Sequence, residues 1–534
     1  MTERSEGNKG MSGVRTLVRL YLRRDRIMLP AWILGGVLLY YSQAVSTEGL
    51  YATQADLDKA AASMGGNAAF IAMLGPDRAL DTLGGQVAWQ SVAFGIIVAG
   101  LMSMFIIGRH TRAEEESGRD ELIRSAVVDR SAPMIAATVV AIGANVVLGL
   151  LTTLSLMTVG LDAAGCVSLG VSLALGGIVF AGVALLAAQL TEGARSMYGI
   201  TGAVIGVSYV LRAVGDVGNG ALSWLSPIGW AQSMRGFAGE VWWPIVLFVV
   251  GAGIPVVVAI RIFSRRDVGS GVWPARPGPA RAGRGLRSPT GLAWRLQRGS
   301  MIGWGVGLLL MGLSYGSIGN DVDDMLGDSE FSQDVFGAGA GPSLTESFYA
   351  TAIGMIALLA CGLVISSALR PRGEEDAGRV EGLLATALPR SRWLGSHVAM
   401  TVLSAVGGVL LGGLGLGLGY ALVTGDGGAI SKYFVATIPY VAPVLLLGAI
   451  ARLLYGISSR WAPFAWVSLG FCFVVLMFGA VLQLPSWLTS LSPFDHLALT
   501  PAEDVRWAPV LVIGALAAAV SAAGQWLFRH RDVH

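Results

Sequence analysis

Charge is scarce in this chain. Asp, Glu, Lys and Arg make up 13% of its 534 residues, against roughly 25% in a soluble globular protein. Lysine is nearly absent, occurring only as Lys9, Lys59 and Lys432. Cysteine is also rare, and Cys166, Cys361 and Cys472 each fall in or beside an apolar stretch, so no disulfide framework is implied. Catalytic patterns are missing as well. The five histidines (His110, His397, His496, His530 and His534) are scattered. They form no His-Glu-x-x-His pair and no Cys/His cluster at metal spacing. Without a Gly-x4-Gly-Lys-Ser/Thr loop the chain has no means to cradle ATP phosphates by itself. No catalytic, cofactor-binding or metal-ligating set is therefore expected in it.

Hydrophobicity is what the chain has. Hydrophobic residues reach 54% and the mean hydropathy is +0.63. The 74 glycines, with no collagen-like period, suit closely packed membrane helices. Apolar runs of about 20 residues are long enough to cross a bilayer, and twelve are read: 27–45, 88–108, 133–158, 166–190, 197–214, 242–262, 300–318, 347–368, 393–423, 433–455, 461–483 and 508–528. Run length favours helices over barrel strands, which would alternate over about ten residues. The expected fold is thus an all-α polytopic membrane protein. The first run follows an arginine-bearing segment without a cleavage pattern and reads as a retained anchor.

Lys and Arg orient the spans. With the N-terminus inside, 31 of the 37 basic residues fall in inner segments and six in outer ones. The outer loops are acidic instead, notably at Asp321, Asp323, Asp324, Asp328, Glu330 and Asp334. A multi-pass protein of the plasma membrane with both termini cytoplasmic is expected.

The chain also repeats itself. The loop after the second span runs Arg112-AEEESGRDELIRSAVVD-Arg130, and the loop after the eighth runs Arg372-GEEDAGRVEGLLATALP-Arg390. At an offset of 260, seven identities align without a gap: Arg112/Arg372, Glu114/Glu374, Glu115/Glu375, Gly118/Gly378, Arg119/Arg379, Glu121/Glu381 and Arg130/Arg390. Arg26 and Trp32 echo Arg298 and Trp304 at 272, Leu225-Ser226-Pro227 echoes Leu491-Ser492-Pro493 at 266, and Arg266-Asp267-Val268 echoes Arg531-Asp532-Val533 at 265. Two parallel six-span halves are expected, 1–262 and 291–534, joined by a Pro/Arg-rich cytoplasmic linker, 263–290.

No expected span carries Asp or Glu in its interior, and Glu346 sits just outside the eighth. Ion-coupled carriers generally need such groups, so any energy for uphill transport is expected to enter from outside the bilayer. Arg212 and Arg452 lie near span ends, where snorkelling to the interface accounts for them. The glycine-rich stretch 406–419 reads as close helix packing. Each repeated loop reads as a short amphipathic helix, acidic at its start as the helix dipole favours, with an apolar side at Leu122, Ile123, Ala126 and Val127 or Leu383, Leu384, Ala387 and Leu388. The arginines that bracket it, Arg109, Arg112 and Arg130, are expected to sit at headgroups or to pin the topology. Positive-inside topology gives no reason for Glu114, Glu115, Glu116, Asp120 and Glu121 there, so the loops read as an acidic patch presented twice to a twofold cytoplasmic partner.

These loops resemble the Glu-x-Glu-x-Gly-x-x-Glu-x-Leu coupling loop of type-2 ATP-binding-cassette permeases. The fit is with the fused, twelve-span tetronasin-resistance kind, described as exporters of polyketide antibiotics. The segment from Arg23 to Trp32, the segment Arg295–Ser300 and the late Leu-Ser-Pro of each half fit too. The resemblance implies a separate ATPase, a homodimer carrying the ATP and Mg, docked on Glu114, Glu115, Glu116, Gly118, Arg119, Glu121, Glu374, Glu375, Gly378, Arg379 and Glu381. It implies amphipathic elbow helices at 14–26 and 290–299, re-entrant hairpins before the last span of each half, and rocking of one half against the other. The second, fifth, eighth and eleventh spans would line a pathway for hydrophobic cargo, through Phe94, Phe105, Tyr198, Tyr209, Phe348, Tyr349, Phe464, Trp466, Phe471 and Phe478. Partners are then the ATPase, the lipid bilayer and a hydrophobic small molecule, with no nucleic acid.

Two rivals stand beside this reading. A proton-coupled carrier of the major-facilitator type would need an intramembrane carboxylate and an Asp-Arg-x-Gly-Arg loop, neither of which is seen. A membrane sensor or scaffold partnered with an ATPase would use the same docking loops without moving bulk cargo. Reversing charge at Glu114–Glu116 together with Glu374 and Glu375 is expected to uncouple the complex and leave insertion intact.

Overall fold

Backbone N–H and C=O groups inside a bilayer must be satisfied within their own segment, which leaves helices for runs of this length. A computed structural model of the chain shows helices, and no strand, among the described residues. These are residues 13–531 apart from 52, 67, 120, 122–127, 267–270, 274–279, 319–343 and 479–483. The chain divides into two compact units, Met1–Pro277 and Gly278–His534. The acidic outer residues from Asp321 to Asp334 lie outside the described residues.

In the first unit, α1 (Val14–Arg24) precedes the long helices α2 (Met28–Leu50), α5 (Leu83–His110), α7 (Ala132–Thr158), α8 (Ala163–Leu190), α9 (Ala194–Val217) and α11 (Ile245–Arg265). Short helices α3 (Gln54–Met64) and α4 (Ala68–Leu74) join α2 to α5, and α6 (Arg112–Glu116) follows α5 directly. The centre of this unit is α5 and α8, the two long helices with most of their residues buried. On α1, Leu17 and Tyr21 turn inward while Arg15, Arg19, Arg23 and the following Arg26 are exposed, giving the amphipathic elbow helix its two faces. Before α11, Ser226 caps the short α10 (Pro227–Ser233) through the Ile228 amide and donates to the Ser208 carbonyl of α9.

The second unit runs α12 (Pro289–Gly316), α13 (Leu344–Ala368), α14 (Arg370–Asp376), α15 (Arg379–Leu384), α16 (Arg390–Thr424), α17 (Gly428–Ala436), α18 (Val441–Ile457), α19 (Ala465–Phe478), α20 (Ser486–Thr489) and α21 (Trp507–His530). Its buried centre is α13, packed against α16 and α18. The glycine run of α16 does what its composition suggests. A Cβ on Gly312 of α12 would sit 2.1 Å from the Gly412 carbonyl oxygen, so the two backbones touch.

Among the described residues, ten helices are long and apolar enough to cross a membrane, which makes this a multi-pass membrane protein. The expected seventh and eleventh spans are not among the ten. The seventh is the second part of α12, which carries the expected elbow at 290–299 as its own first turns. No Gly-Pro break separates them, and the five glycines from Gly303 to Gly316, with Ser314 and Tyr315, dilute the apolar character of that part. The eleventh forms α19, with 14 residues, and the expected remainder, 479–483, lies outside the described residues.

The two carboxylates nearest the expected spans stand at helix ends, Asp216 one residue before α9 stops and Glu346 in the first turn of α13. Each has a cation within reach: Arg212 lies 3.7 Å from Asp216, and Lys432 lies 2.6 Å from Glu346. One expectation about charge is corrected: Arg212 and Arg452 do not snorkel. Both are buried, because their guanidinium groups find partners between helices: Arg212 at the Met73 and Ile71 carbonyls, Arg452 at the Ser521 hydroxyl.

Candidate functional site

The repeated loops sit at the ends of α5 and α13, the buried helix that leads into the loop in each unit. In the first unit Glu114 is buried and accepts from Arg24 of α1 at 2.8 Å, with Arg119 at 3.8 Å. The hydrogen bond to Glu114 raises the Arg24 guanidinium above its ordinary value. Glu115 is held by two arginines, Arg112 at 2.7 Å and Arg266 at 2.8 Å. Arg112 is itself fully buried and donates to the Ala188 carbonyl at the end of α8. Glu116 is exposed, yet one of its oxygens accepts from the Ala194 amide at 3.2 Å, at the positive end of α9.

The second unit repeats the design with different hands. Glu374 is buried between Arg370 at 2.6 Å and Arg379 at 2.7 Å, both from its own loop. The Glu374 hydrogen bond raises the Arg379 guanidinium in turn. Glu375 accepts from the Tyr455 hydroxyl and from Arg531, each at 2.6 Å. Arg531 lies over the Tyr455 ring at 4.8 Å and the Phe528 ring at 5.3 Å.

One interaction is common to both units. The arginine just past the last helix returns to the second glutamate of the loop, Arg266 to Glu115 and Arg531 to Glu375. The arginine that closes the loop then holds the same helix end by its carbonyls. Arg130 donates to the Arg266 carbonyl, and Arg390 donates to the Arg531 carbonyl at 2.7 Å. Sequence echoes at offsets of 260 and 265 are thus the two sides of one contact.

This corrects the picture of an open acidic patch. Glu114, Glu115, Glu374 and Glu375 face inward and are consumed by arginines. Among the described residues, the exposed charges include Glu116, Arg119, Glu121 and Arg130 in the first loop and Asp376, Arg379 and Glu381 in the second. Gly118 and Gly378 are exposed at φ +71° and +66°, a backbone region open to glycine at no steric penalty, where the short helix of each loop turns. Arg109, expected at headgroups, lies 2.9 Å from the buried Asp25, whose other oxygen is 2.5 Å from His110. The apolar side of the second loop packs on protein: Val380 is buried with Trp393, Tyr455 and Phe528, and Leu383, Leu384 and Leu388 lie against them. Ala387 is exposed. Asp120, Leu122, Ile123, Ala126 and Val127 lie outside the described residues.

The aromatic candidates separate into groups. Phe105 and Tyr198 meet across α5 and α9 at 5.5 Å, with Trp32 beyond Phe105 at 5.8 Å. Phe94 is exposed. Tyr209 is engaged structurally, donating to the Met73 carbonyl and lying under Arg212. Tyr349 is fully buried among Phe348, Tyr420 and Tyr433. Trp466 lines a cavity of about 490 Å³ with Tyr315, Met355, Leu359 and Phe473. Phe464 is exposed beside Trp461, and Phe471 is half-buried. Phe478 ends α19, and its side chain lies outside the described residues. Tyr315 and Phe473, which share the cavity with Trp466, had no signal in the sequence beyond being aromatic in an apolar run.

The second unit matches the family model for the multidrug efflux system permease Rv1217c, C-terminal domain, over residues 286–529. The likeness extends through the first unit. Over 528 residues, 98% of this chain and 96% of the relative, the chain is 40% identical to the multidrug efflux system permease protein Rv1217c of Mycobacterium tuberculosis. The chain belongs to the ATP-binding-cassette drug-efflux permeases. In this permease the family-model match begins just before α12 and takes in the whole second loop, with Glu374, Glu375 and Arg390.

Proposed function

We propose that this chain is the membrane subunit of an ATP-driven exporter that moves hydrophobic or amphipathic drugs out of the cell. A separate cassette ATPase, acting as a homodimer, supplies the energy and carries ATP and Mg. Twelve spans in two six-span halves, 1–262 and 291–534 around the linker 263–290, with both termini and both loops cytoplasmic, are the arrangement this reading takes. The observation that carries it is the tie made once in each unit, Glu115 to Arg266 and Glu375 to Arg531. A loop fixed to the end of the last helix of its unit moves that helix when it is pushed, which an ATP-driven partner requires. The exposed Glu116, Arg119, Glu121, Asp376, Arg379 and Glu381, turned at Gly118 and Gly378, are the surface the ATPase would meet. Phe105 with Tyr198, and Trp466 in its cavity, are the aromatic groups best placed to touch cargo, since apolar lining suits such molecules.

The test is ATPase activity in lipid discs of this chain co-expressed with a candidate cassette ATPase, titrated with amphipathic compounds. Stimulation by a compound, lost when the catalytic residues of the ATPase are changed, is the expected result. A stable complex that no compound stimulates transfers the reading to a sensor or scaffold. Drug export that proceeds without any ATPase and collapses with the proton gradient returns it to a proton-coupled carrier.

A further inference from the structure

Arg452 stands in α18 five residues before that helix ends at Ile457, about 7.5 Å of axial rise from the end that lies beside the second loop. It is 4% exposed. Its Nη1 donates to the Ser521 hydroxyl of α21, while its Nη2 is buried with no hydrogen-bond partner. No carboxylate pairs with it among the described residues. The buried arginine of α9 in the first unit is different: Arg212 has Asp216 at 3.7 Å, the Met73 carbonyl at 3.0 Å and the Tyr209 ring at 4.5 Å. A guanidinium stays charged in any protein setting, and an intramembrane cation without a counter-charge is strongly disfavoured. Arg452 lacks an anion.

The space for one is present. Arg452 lines a cavity of about 360 Å³ between α16, α18 and α21. Val398, Val402 and Leu445 make its walls apolar, and Thr401, Ser521 and Gln525 add polar groups. Val402, Ala518 and Ala522 on its rim are exposed, so it opens at the surface of this unit.

We propose that this cavity binds an anionic phospholipid, its phosphate on Arg452 and Ser521 and the start of one acyl chain along Val398, Val402 and Leu445. A singly charged phosphodiester matches a single guanidinium, and basic pockets between membrane helices take anionic headgroups. Free phosphate fits less well, because the walls that receive an acyl chain would leave a small dianion against hydrocarbon. The volume holds a headgroup phosphate and a segment of chain, with the rest of the lipid leaving past Ala518 and Ala522. Tyr455, one turn on from Arg452 along α18, donates to Glu375. A lipid that clamps α16, α18 and α21 therefore steadies the end of α18 that holds the second loop. The proposal rests on the multi-pass membrane fold and not on ATPase docking, so it is measured on the permease alone.

The full-length chain is purified in detergent. Lipid retention by native mass spectrometry and thermal unfolding are followed with phosphatidylglycerol, with phosphatidylcholine of the same acyl chains, and with sodium phosphate. Phosphatidylglycerol is expected to bind about tenfold more tightly than phosphatidylcholine and to raise the melting temperature. Arg452→Gln, which keeps a hydrogen-bonding group toward Ser521, abolishes that preference. Ala518→Trp fills the rim without changing the arginine and abolishes it too, so the test survives if the first variant fails to fold. Equal binding of the two lipids, or a preference that persists in both variants, overturns the proposal. Stabilisation by sodium phosphate equal to that by phosphatidylglycerol also overturns it, in favour of a small-anion site.

Discussion

The two loops share a sequence pattern and differ in who holds it. In the first unit Glu114 is held by Arg24 of the elbow helix, and the neighbouring Asp25 holds Arg109 and His110 at the end of α5. In the second, Glu374 is held by Arg370 and Arg379, both within the loop. There the elbow is part of α12 and is tied elsewhere, through Gln297 to His397 of α16 at 3.1 Å and to Ser367 of α13 at 2.6 Å. What stays constant is the second glutamate and the arginine past the last helix. The feature common to both units is thus the link from loop to last helix, while Arg24 on Glu114 adds a link from loop to elbow in the first unit.

The largest effect expected is from removing the constant glutamates. Glu115→Gln leaves Arg112 and Arg266 facing one another in a buried site, and breaking a buried ion pair from one side destabilises by about 3–5 kcal/mol. Glu375→Gln takes the counter-charge from one guanidinium and keeps an oxygen that accepts from the Tyr455 hydroxyl, so its fall in melting temperature should be the smaller of the two. Adding Arg531→Gln to Glu375→Gln should recover part of the loss, since no charge is then left buried and unpaired. Thermal unfolding of the four proteins checks the order, and equal loss at Glu115 and Glu375 would show that the second arginine on Glu115 contributes nothing. Charge reversal across Glu114–Glu116, Glu374 and Glu375 should therefore disturb folding itself, rather than uncouple an intact protein.

A middle effect is expected at the turns. Gly118→Ala and Gly378→Ala meet no neighbouring atom within 4 Å, so the whole effect is the left-handed backbone, about 1–2 kcal/mol for a residue with a Cβ. Because both glycines are alike in φ and openness, the two losses should match, unlike those at the glutamates. A difference in melting temperature between the two variants would mean that one loop changes its turn.

Much of this was legible before the fold was known. The seven identities marked the loops, and the echo of Arg266 in Arg531 marked the arginines that serve them. That these residues touch was not legible, because Arg266 and Glu115 are 151 positions apart, and nothing local to an acidic run distinguishes a buried, paired carboxylate from a solvated one. The same blindness applied to Arg212 and Arg452. Their place near span ends suggested snorkelling, and only the packing of α4 on α9 and of α21 on α18 shows what reaches them. Aromatic residues were the least legible. Tyr209 and Tyr349 are structural, and Tyr315 joins Trp466 only because α12 and α19 both pack on α13.

The smallest effect on stability should come from the exposed charges, and it bears most directly on function. Arg119 and Arg379 keep 63% and 57% of their side chains exposed, and Glu121 and Glu381 are exposed with them. Exchanging Arg119 and Glu121 for Glu and Lys should leave the melting temperature of the purified permease unmoved, because exposed ion pairs contribute little. Retention of the ATPase on the permease should nonetheless drop. Making the same exchange at Arg379 and Glu381 should drop it further, since Arg379 also serves Glu374 and its loss loosens that loop. If both exchanges leave the complex intact, the glutamates and arginines of these loops serve only to hold each unit together, and the ATPase must meet other residues. If only the second weakens it, the elbow contact of the first unit is what lets that loop tolerate change, and adding Arg24→Ala should remove the tolerance.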